Sequence, residues 1–87
     1  MLYMVIERFK GRNAAAVYNR FRERGRMMPE GLNYIDSWVE PNFDRCFQLM
    51  ECHDRTLFNQ WTSNWSDLME FEIVPVMTSQ AARELMA

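Results

Sequence analysis

Two carboxylates are the candidates for acid–base chemistry in this sequence. Glu7 lies in the stretch LYMVIERF, and Asp36 lies in the stretch LNYIDSWV. Both stretches are rich in aromatic and branched apolar residues, which predicts that each carboxylate is partly buried. A carboxyl group among apolar side chains has a raised pKa and can act as a general base near neutral pH. Glu7 and Asp36 are therefore the candidate catalytic residues.

The two cysteines and the single histidine do not form a metal-binding or nucleophilic pattern. A disulfide between Cys46 and Cys52 would require a tight fold-back of the chain, so free thiols in a reducing compartment are expected. His53 stands between Cys52 and Asp54, and adjacent side chains on a turn rarely converge on one ion. We therefore expect no metal, no cofactor and a cytoplasmic location.

Phosphate, nucleic-acid and membrane recognition are not favoured by the composition. The three glycines are not clustered, which excludes phosphate loops and dinucleotide fingerprints. Arginines are concentrated between Arg8 and Arg26, but the net charge is −2 and these arginines do not alternate with strand aromatics. No apolar run approaches the roughly twenty residues that span a bilayer. We expect neither nucleic acid nor membrane as a partner.

Four stretches have the apolar or alternating pattern of β-strands. They are Leu2–Phe9, Leu32–Val39, Arg45–Glu51 and Glu70–Thr78. The first is apolar on both alternating faces, which indicates a central strand. Pro75 in the last stretch indicates an edge strand, where a missing N–H is tolerated.

Helices are expected between these strands. The first begins after Asn13, a favoured N-cap residue, and ends at Gly25, a favoured residue just past a helix. The second begins after Asp54, where apolar residues recur at helical spacing. Residues 79–87 form a short final helix or tail. The order β-α-β-β-α-β predicts one ferredoxin-like α+β domain over residues 1–87, with a four-stranded antiparallel sheet and both main helices on one face.

The hairpin of the second and third strands decides which side chains share a face. Pairing Trp38 with Cys46 gathers the apolar residues of this hairpin on one face and leaves a mixed aromatic and polar set on the other. We assign this mixed set to the face without helices: Tyr3, Glu7, Tyr34, Asp36, Trp38 and Gln48. An aromatic cleft with few convergent polar groups is the usual form of a small-molecule site. Tyr3, Tyr34, Trp38 and Gln48 are therefore the predicted ligand-cleft residues, and Trp38 borders the site.

Four stretches carry a family resemblance: MLYMVIERFKGR, RFRERGRMMPEGLNYIDSWVE, RCFQLME and FNQWTSNWSDLMEFEIVPV. Together they resemble a family of short bacterial domains of unknown function in the dimeric α/β-barrel superfamily of ferredoxin-like folds. The resemblance covers Met1 to about Thr78. It implies a fold in which two sheets pair by their helix-free faces, and it implies no reaction.

A homodimer is also expected from the sequence itself, because the sheet has two apolar faces and the helices can cover only one. Two classes of function stay open. The first is a non-catalytic dimeric domain that binds a small apolar or aromatic ligand or another protein. The second is a cofactor-independent enzyme of monooxygenase or isomerase type. Such an enzyme would use Glu7 or Asp36 as base and Tyr34 or Trp38 to position the substrate.

Overall fold

Four antiparallel strands form one sheet in the computed structural model, which describes all residues from 1 to 87. The elements are β1 (Leu2–Phe9), α1 (Ala14–Arg24), β2 (Asn33–Val39), β3 (Arg45–Glu51), α2 (Leu57–Ser63), β4 (Met69–Val76) and α3 (Ser79–Met86). The strand order is β2-β3-β1-β4. This order confirms the predicted ferredoxin-like α+β fold, with β1 and β3 in the centre and β2 and β4 at the edges.

The two ends of α1 follow from single residues. The Asn13 side chain accepts a hydrogen bond of 3.2 Å from the Ala16 N–H, as expected for an N-cap. The helix ends at Gly25, whose φ of +67° and ψ of −160° lie in a region that essentially only glycine adopts. The chain therefore turns away sharply at Gly25, and Arg26 is the first residue after the turn.

The segment around α2 is less regular than the sequence pattern predicts. Asp54 accepts hydrogen bonds from the Thr56 N–H and hydroxyl, at 3.0 and 2.6 Å, before the helix begins. The helix ends at Ser63, and successive turns continue to Leu68. Trp65 lies in these turns and is nevertheless buried, because its indole faces the sheet with the rest of the core.

The helices cover the face of the sheet that carries alternate β1 residues from Tyr3 to Phe9. The Tyr3 ring contacts the Phe58 ring of α2 edge-on at 5.1 Å, and Phe9 contacts Tyr18 of α1 at 6.4 Å. All four β1 residues of this face, Tyr3, Val5, Glu7 and Phe9, are buried. We call this surface the helix-covered face.

The predicted assignment of faces is therefore wrong for β1 and β3. Tyr3, Glu7 and Gln48 were expected on the helix-free face, and the structure places them on the helix-covered face. The reason is that β1 is apolar on both sides, so alternation alone does not decide which side the helices cover. The large aromatic residues of α2, Phe58 and Trp61, pack on the side of Tyr3.

The predicted register of the hairpin is correct at Asn33 and Tyr34 and wrong by one residue from Asp36 to Val39. Val39, and not Trp38, pairs with Cys46, because the pairing shifts between Tyr34 and Asp36. A β-bulge of this kind inserts one extra residue into a strand, and side chains alternate with a period of two. Residues after the bulge therefore lie on the opposite face from the one that unbroken alternation gives. Asp36 and Trp38 lie on the helix-free face, to which they were assigned, whereas Tyr34 was assigned to that face and lies on the helix-covered face.

The helix-free face is mainly apolar and only partly shielded. Its partly buried apolar residues are Leu2, Met4, Ile6, Phe47, Leu49, Val74 and Val76, with the exposed Trp38 beside Phe47. The C-terminal helix α3 also has no buried residue, although Leu85 and Met86 are large and apolar. None of the helices is both long and apolar enough to cross a lipid bilayer.

Candidate functional site

A cavity of about 150 Å³ lies between α1, α2 and the helix-covered face. Its walls are mostly hydrophobic, with Val17 of α1 and the indoles of Trp61 and Trp65 among them. Phe21 and Val39 also line it, and each is more than a third exposed, so the cavity reaches the surface on their side. An engineered protein cavity of about 150 Å³ holds benzene. The space therefore fits one small ring.

The carboxyl group of Glu7 forms part of the cavity wall. Glu7 is only 4% exposed, and burial raises its pKa to about 7. A hydrogen bond from the Cys46 thiol and the positive charge of Arg26 partly oppose this rise in pKa. At neutral pH the Glu7 carboxyl is therefore close to equally protonated and ionised, the state that suits a group exchanging protons or binding polar ligands.

The Cys46 thiol is the partner of this carboxyl. Cys46 is paired directly with Glu7 across β1 and β3. Burial, together with the charge of Glu7 and the hydrogen bond to it, raises the pKa of the thiol to about 12. The thiol is therefore protonated at neutral pH and is a hydrogen-bond donor, whereas a nucleophilic cysteine requires a lowered pKa.

Arg26 brings a positive charge to the same cavity. Its guanidinium carbon lies 3.7 Å from the centre of the Tyr34 ring and 5.0 Å from that of Phe21. The Arg26 backbone carbonyl accepts hydrogen bonds of 3.0 Å from both indole N–H groups, those of Trp61 and Trp65. Two hydrogen bonds to its backbone carbonyl and two aromatic rings beside its side chain therefore hold Arg26 in place.

Three further polar groups border this region. The Gln48 amide lines the cavity and donates to the Met50 sulfur at 3.5 Å. The Ser37 hydroxyl lines it as well and shares a hydrogen bond of 2.6 Å with the Tyr34 hydroxyl. Burial, followed by the charges of Cys46 and Glu7, raises the pKa of Tyr18, which stays a neutral phenol. The cavity thus combines apolar walls with a few oriented polar groups, as ligand sites do.

Comparison with known proteins gives one match. A family model described as Domain of unknown function (DUF3303) matches residues 1–87. The chain belongs to this family. The resemblance to a family of unknown function is thereby confirmed for the whole chain. No curated protein and no solved structure matches the chain significantly.

In this member of the DUF3303 family, the structure brings together some of the predicted site residues. Glu7 and Gln48 both line the cavity, and Tyr34 lies next to it beneath the Arg26 guanidinium. Tyr3 is buried against Phe58 and does not reach the cavity. These residues belong to the helix-covered face, so any site they form lies beneath the helices.

The other two predicted residues lie on the opposite face. Asp36 is exposed, and its carboxylate accepts a hydrogen bond of 2.8 Å from the Ser37 N–H. Trp38 is 52% exposed and does not border the cavity. A single site therefore does not contain both candidate bases, and Glu7 is the one that lies in a cavity.

Several cavity residues were not predicted to belong to a site. They include Trp61 and Trp65, which stand at helical spacing after Asp54, and Arg26, the last residue of the arginine-rich stretch that begins at Arg8. The one local signal for Arg26 was the glycine before it, because a glycine that ends a helix sets the direction of the next side chain. Cys46 was predicted to be a free thiol outside any site. Both cysteines are free and buried, and no three His, Cys, Asp or Glu side chains are grouped to hold a metal ion.

Proposed function

We propose that this domain binds a small, mostly apolar molecule, about one ring in size, in the cavity between α1 and the sheet. One observation carries the proposal: the buried Glu7 carboxyl faces a cavity large enough for a ring. Burying a carboxyl group is unfavourable unless the group is paired or used. Its one side-chain hydrogen-bond partner is the Cys46 thiol, a weak donor. A bound molecule would supply a stronger polar contact than this thiol.

The apolar walls and the carboxyl have separate tasks in this proposal. A ring between Val17 and Trp65 removes apolar surface from water, which contributes about 25 cal/mol for each Å² buried. The Glu7 carboxyl then orients the ring, because its neutral form donates to a carbonyl or hydroxyl oxygen and its ionised form accepts from an N–H or O–H. The size of the cavity limits the size of the ligand, and the polar contact with Glu7 sets the orientation of the ligand.

Indole N–H signals in a nuclear magnetic resonance titration with benzyl alcohol test the site. Trp61 and Trp65 border the cavity, whereas Trp38 lies on the opposite face and serves as an internal reference. We expect the Trp61 and Trp65 signals to shift together in a saturable way while the Trp38 signal stays in place. A saturable shift confined to Trp38, or no saturation of any indole signal, contradicts the proposal.

A variant that fills the cavity provides the control. Val17→Phe adds a ring to the cavity wall, at a cost in stability of about 1–3 kcal/mol for an overpacked core. Ala15→Phe adds the same ring on the exposed side of α1. We expect benzyl alcohol to bind the Ala15 variant like the parent protein and to lose affinity for the Val17 variant. Equal binding to both variants places the ligand elsewhere.

Proton transfer by Glu7 is the second candidate function, of the isomerase type. The observation that favours it is the pKa of about 7 in a buried carboxyl that faces a ring-sized cavity. In such a reaction the Glu7 carboxylate removes a proton from the carbon beside a carbonyl group and returns it to another position. A general base is most effective when its pKa is near the working pH. Of the two candidate bases, Glu7 and Asp36, this proposal keeps Glu7 alone, because Asp36 is exposed on the helix-free face.

Deuterium exchange separates this candidate from binding alone. Acetophenone has one ring and acidic methyl protons, so exchange of its methyl group in heavy water reports carboxylate base catalysis. If Glu7 is a base, the protein accelerates this exchange, and Glu7→Gln lowers the acceleration by about 10²–10⁴-fold while ligand binding is kept. Exchange at the buffer rate in the presence of the unmodified protein rejects this enzyme candidate and leaves the binding function.

A homodimer through the helix-free face completes the proposal. Four strands about 4.8 Å apart and eight residues of about 3.3 Å each give a flat area of about 500 Å². The accessible area of such a side-chain surface is larger, and a standard interface buries about 800 Å² on each partner. A second copy of the chain offers the same apolar surface in return.

A further inference from the structure

The guanidinium group of Arg26 forms no ion pair in the chain, although its charge acts on the Glu7 carboxyl across the cavity. The ion pairs of the protein involve other arginines, such as Arg20 with Asp67 and Arg45 with Glu40. The Arg26 side chain makes no hydrogen bond, and its contacts are the faces of two rings, Tyr34 and Phe21. The N–H donors of a guanidinium lie in its plane, so stacking leaves them unused. A fixed, partly buried cation with unused donors thus lines the cavity.

We propose that the cavity takes a small carboxylate and that Arg26 binds its anionic group. This inference rests on the proposed binding function and names the class of ligand. A guanidinium pairs with a carboxylate through two parallel hydrogen bonds, which gives direction as well as affinity. The ring or chain of the ligand then lies against the apolar walls, and its far end faces Glu7 and Cys46.

Size and charge favour a carboxylate over larger anions. The cavity holds about one ring, so an extended anion such as a polynucleotide does not enter it. Arg26 is the one cationic side chain among the lining residues, which suits a single negative charge. The guanidinium is held between Tyr34 and Phe21. A planar acceptor group in the plane of this fork is therefore preferred.

The proton on Glu7 is coupled to this ligand. The titratable or charged groups that face Glu7 are Cys46 of β3, Tyr18 of α1 and Arg26. Helix α2, the turns after it and β4 contribute only Trp61, Trp65 and Met69 to the lining. A second negative charge in the cavity favours the protonated form of Glu7. The carboxylate ligand therefore binds with uptake of a proton, and its affinity decreases as the pH rises above the pKa of Glu7.

Benzoate and benzamide are the matched probes, since they share size and shape and differ in charge. We expect the unmodified protein to bind benzoate at least about tenfold more tightly than benzamide, as charge-assisted hydrogen bonds predict. Arg26→Gln should remove this preference, and Arg26→Lys should keep part of it. Arg24→Gln, at the exposed last position of α1, should leave it unchanged. Titration calorimetry in buffers of different ionisation heat measures affinity and proton uptake together.

The possible results separate the inference from the proposed function. If benzamide binds as tightly as benzoate, the carboxylate class is rejected while the cavity remains a binding site. If benzoate keeps its preference in folded Arg26→Gln, Arg26 does not recognise the anion and the inference is also rejected. If neither probe binds, the ring-sized site itself is rejected, and the inference with it.

Discussion

Glu7 of β1 lies directly opposite Cys46 of β3, and the Cys46 thiol donates a hydrogen bond to the Glu7 carboxylate. Burial opposes the ionisation of both groups; the charge of Glu7 opposes ionisation of the thiol further, whereas the hydrogen bond from the thiol favours the ionised carboxylate. A thiol is a weak donor, so the carboxyl keeps a raised pKa despite the bond. A buried carboxyl with one weak donor is unfavourable for the fold, and the proposed ligand would supply a further polar contact.

The first expectation concerns the pH dependence of stability. The pKa of Glu7 is raised from 4.5 to about 7, so the folded protein binds this proton more tightly than the unfolded chain. The contribution of Glu7 is fully favourable below about pH 4.5 and decreases as the pH rises to about 7, by roughly 3 kcal/mol at most. Glu7→Gln should remove this decrease. Urea unfolding at a series of pH values measures it, and identical pH slopes in both proteins contradict the expectation.

The second expectation concerns the shared acceptor of Trp61 and Trp65. Either Trp→Phe substitution leaves the Arg26 carbonyl with one hydrogen bond, whereas the double substitution leaves it with none. A buried acceptor without a partner costs about 1–3 kcal/mol. The double variant should therefore lose more stability than the sum of the single variants. A double-mutant cycle on the free energy of unfolding measures this, and strict additivity would show that water replaces the second bond.

The third expectation concerns the turn that positions Arg26. Gly25 has backbone angles that other residues avoid, and no atom lies near the position of an added Cβ. Gly25→Ala should cost about 1–3 kcal/mol through backbone strain alone, and it should weaken benzoate binding. Gly11→Asn is the control, because Gly11 has φ +59° and ψ +19°, in a left-handed region that asparagine adopts readily. Equal losses of stability and of benzoate affinity in the two variants would contradict a specific role for the Gly25 turn.

The fourth expectation concerns the dimer. Trp38→Asp places a charge on the exposed part of the helix-free face, so it should shift the protein toward folded monomer. Gln60→Asp on the exposed side of α2 should leave the dimer intact. Met50→Asp is not a useful probe, since Met50 is fully buried in the core and its replacement should unfold the chain. Sedimentation at micromolar concentration distinguishes these states, and a monomeric parent protein rejects the dimer.

Much of the fold was predictable because its signals are local. The bounds of β1 and β3 agree with their apolar patterns, Asn13 caps α1, and the strand with Pro75 lies at an edge. The bulge at residues 34–36 was not predictable, because an extra residue in an edge strand leaves the alternating pattern readable in either register. That one residue places Trp38 and Asp36 on the opposite face from Tyr34.

The candidate site was only partly predictable for a related reason. Glu7 was identified from its own apolar surroundings, which the sequence shows directly. Its cavity depends on which face of β1 the helices cover, and both faces of that strand are apolar. Arg26 enters through tertiary contacts with Trp61 and Trp65, far away in the chain. The local sequence pattern therefore identified Glu7, whereas tertiary packing brings the other site residues to it.

The most direct measurement of the central claim is the set of nuclear Overhauser contacts between bound benzyl alcohol and the three indole rings. A ring in the cavity beneath α1 lies beside Trp61 and Trp65, while Trp38 is on the opposite face of the sheet. We expect contacts from the ring protons of benzyl alcohol to Trp61 and Trp65 and none to Trp38. Contacts to Trp38, or a bound ring without contact to Trp61 and Trp65, would contradict a ligand site in this cavity.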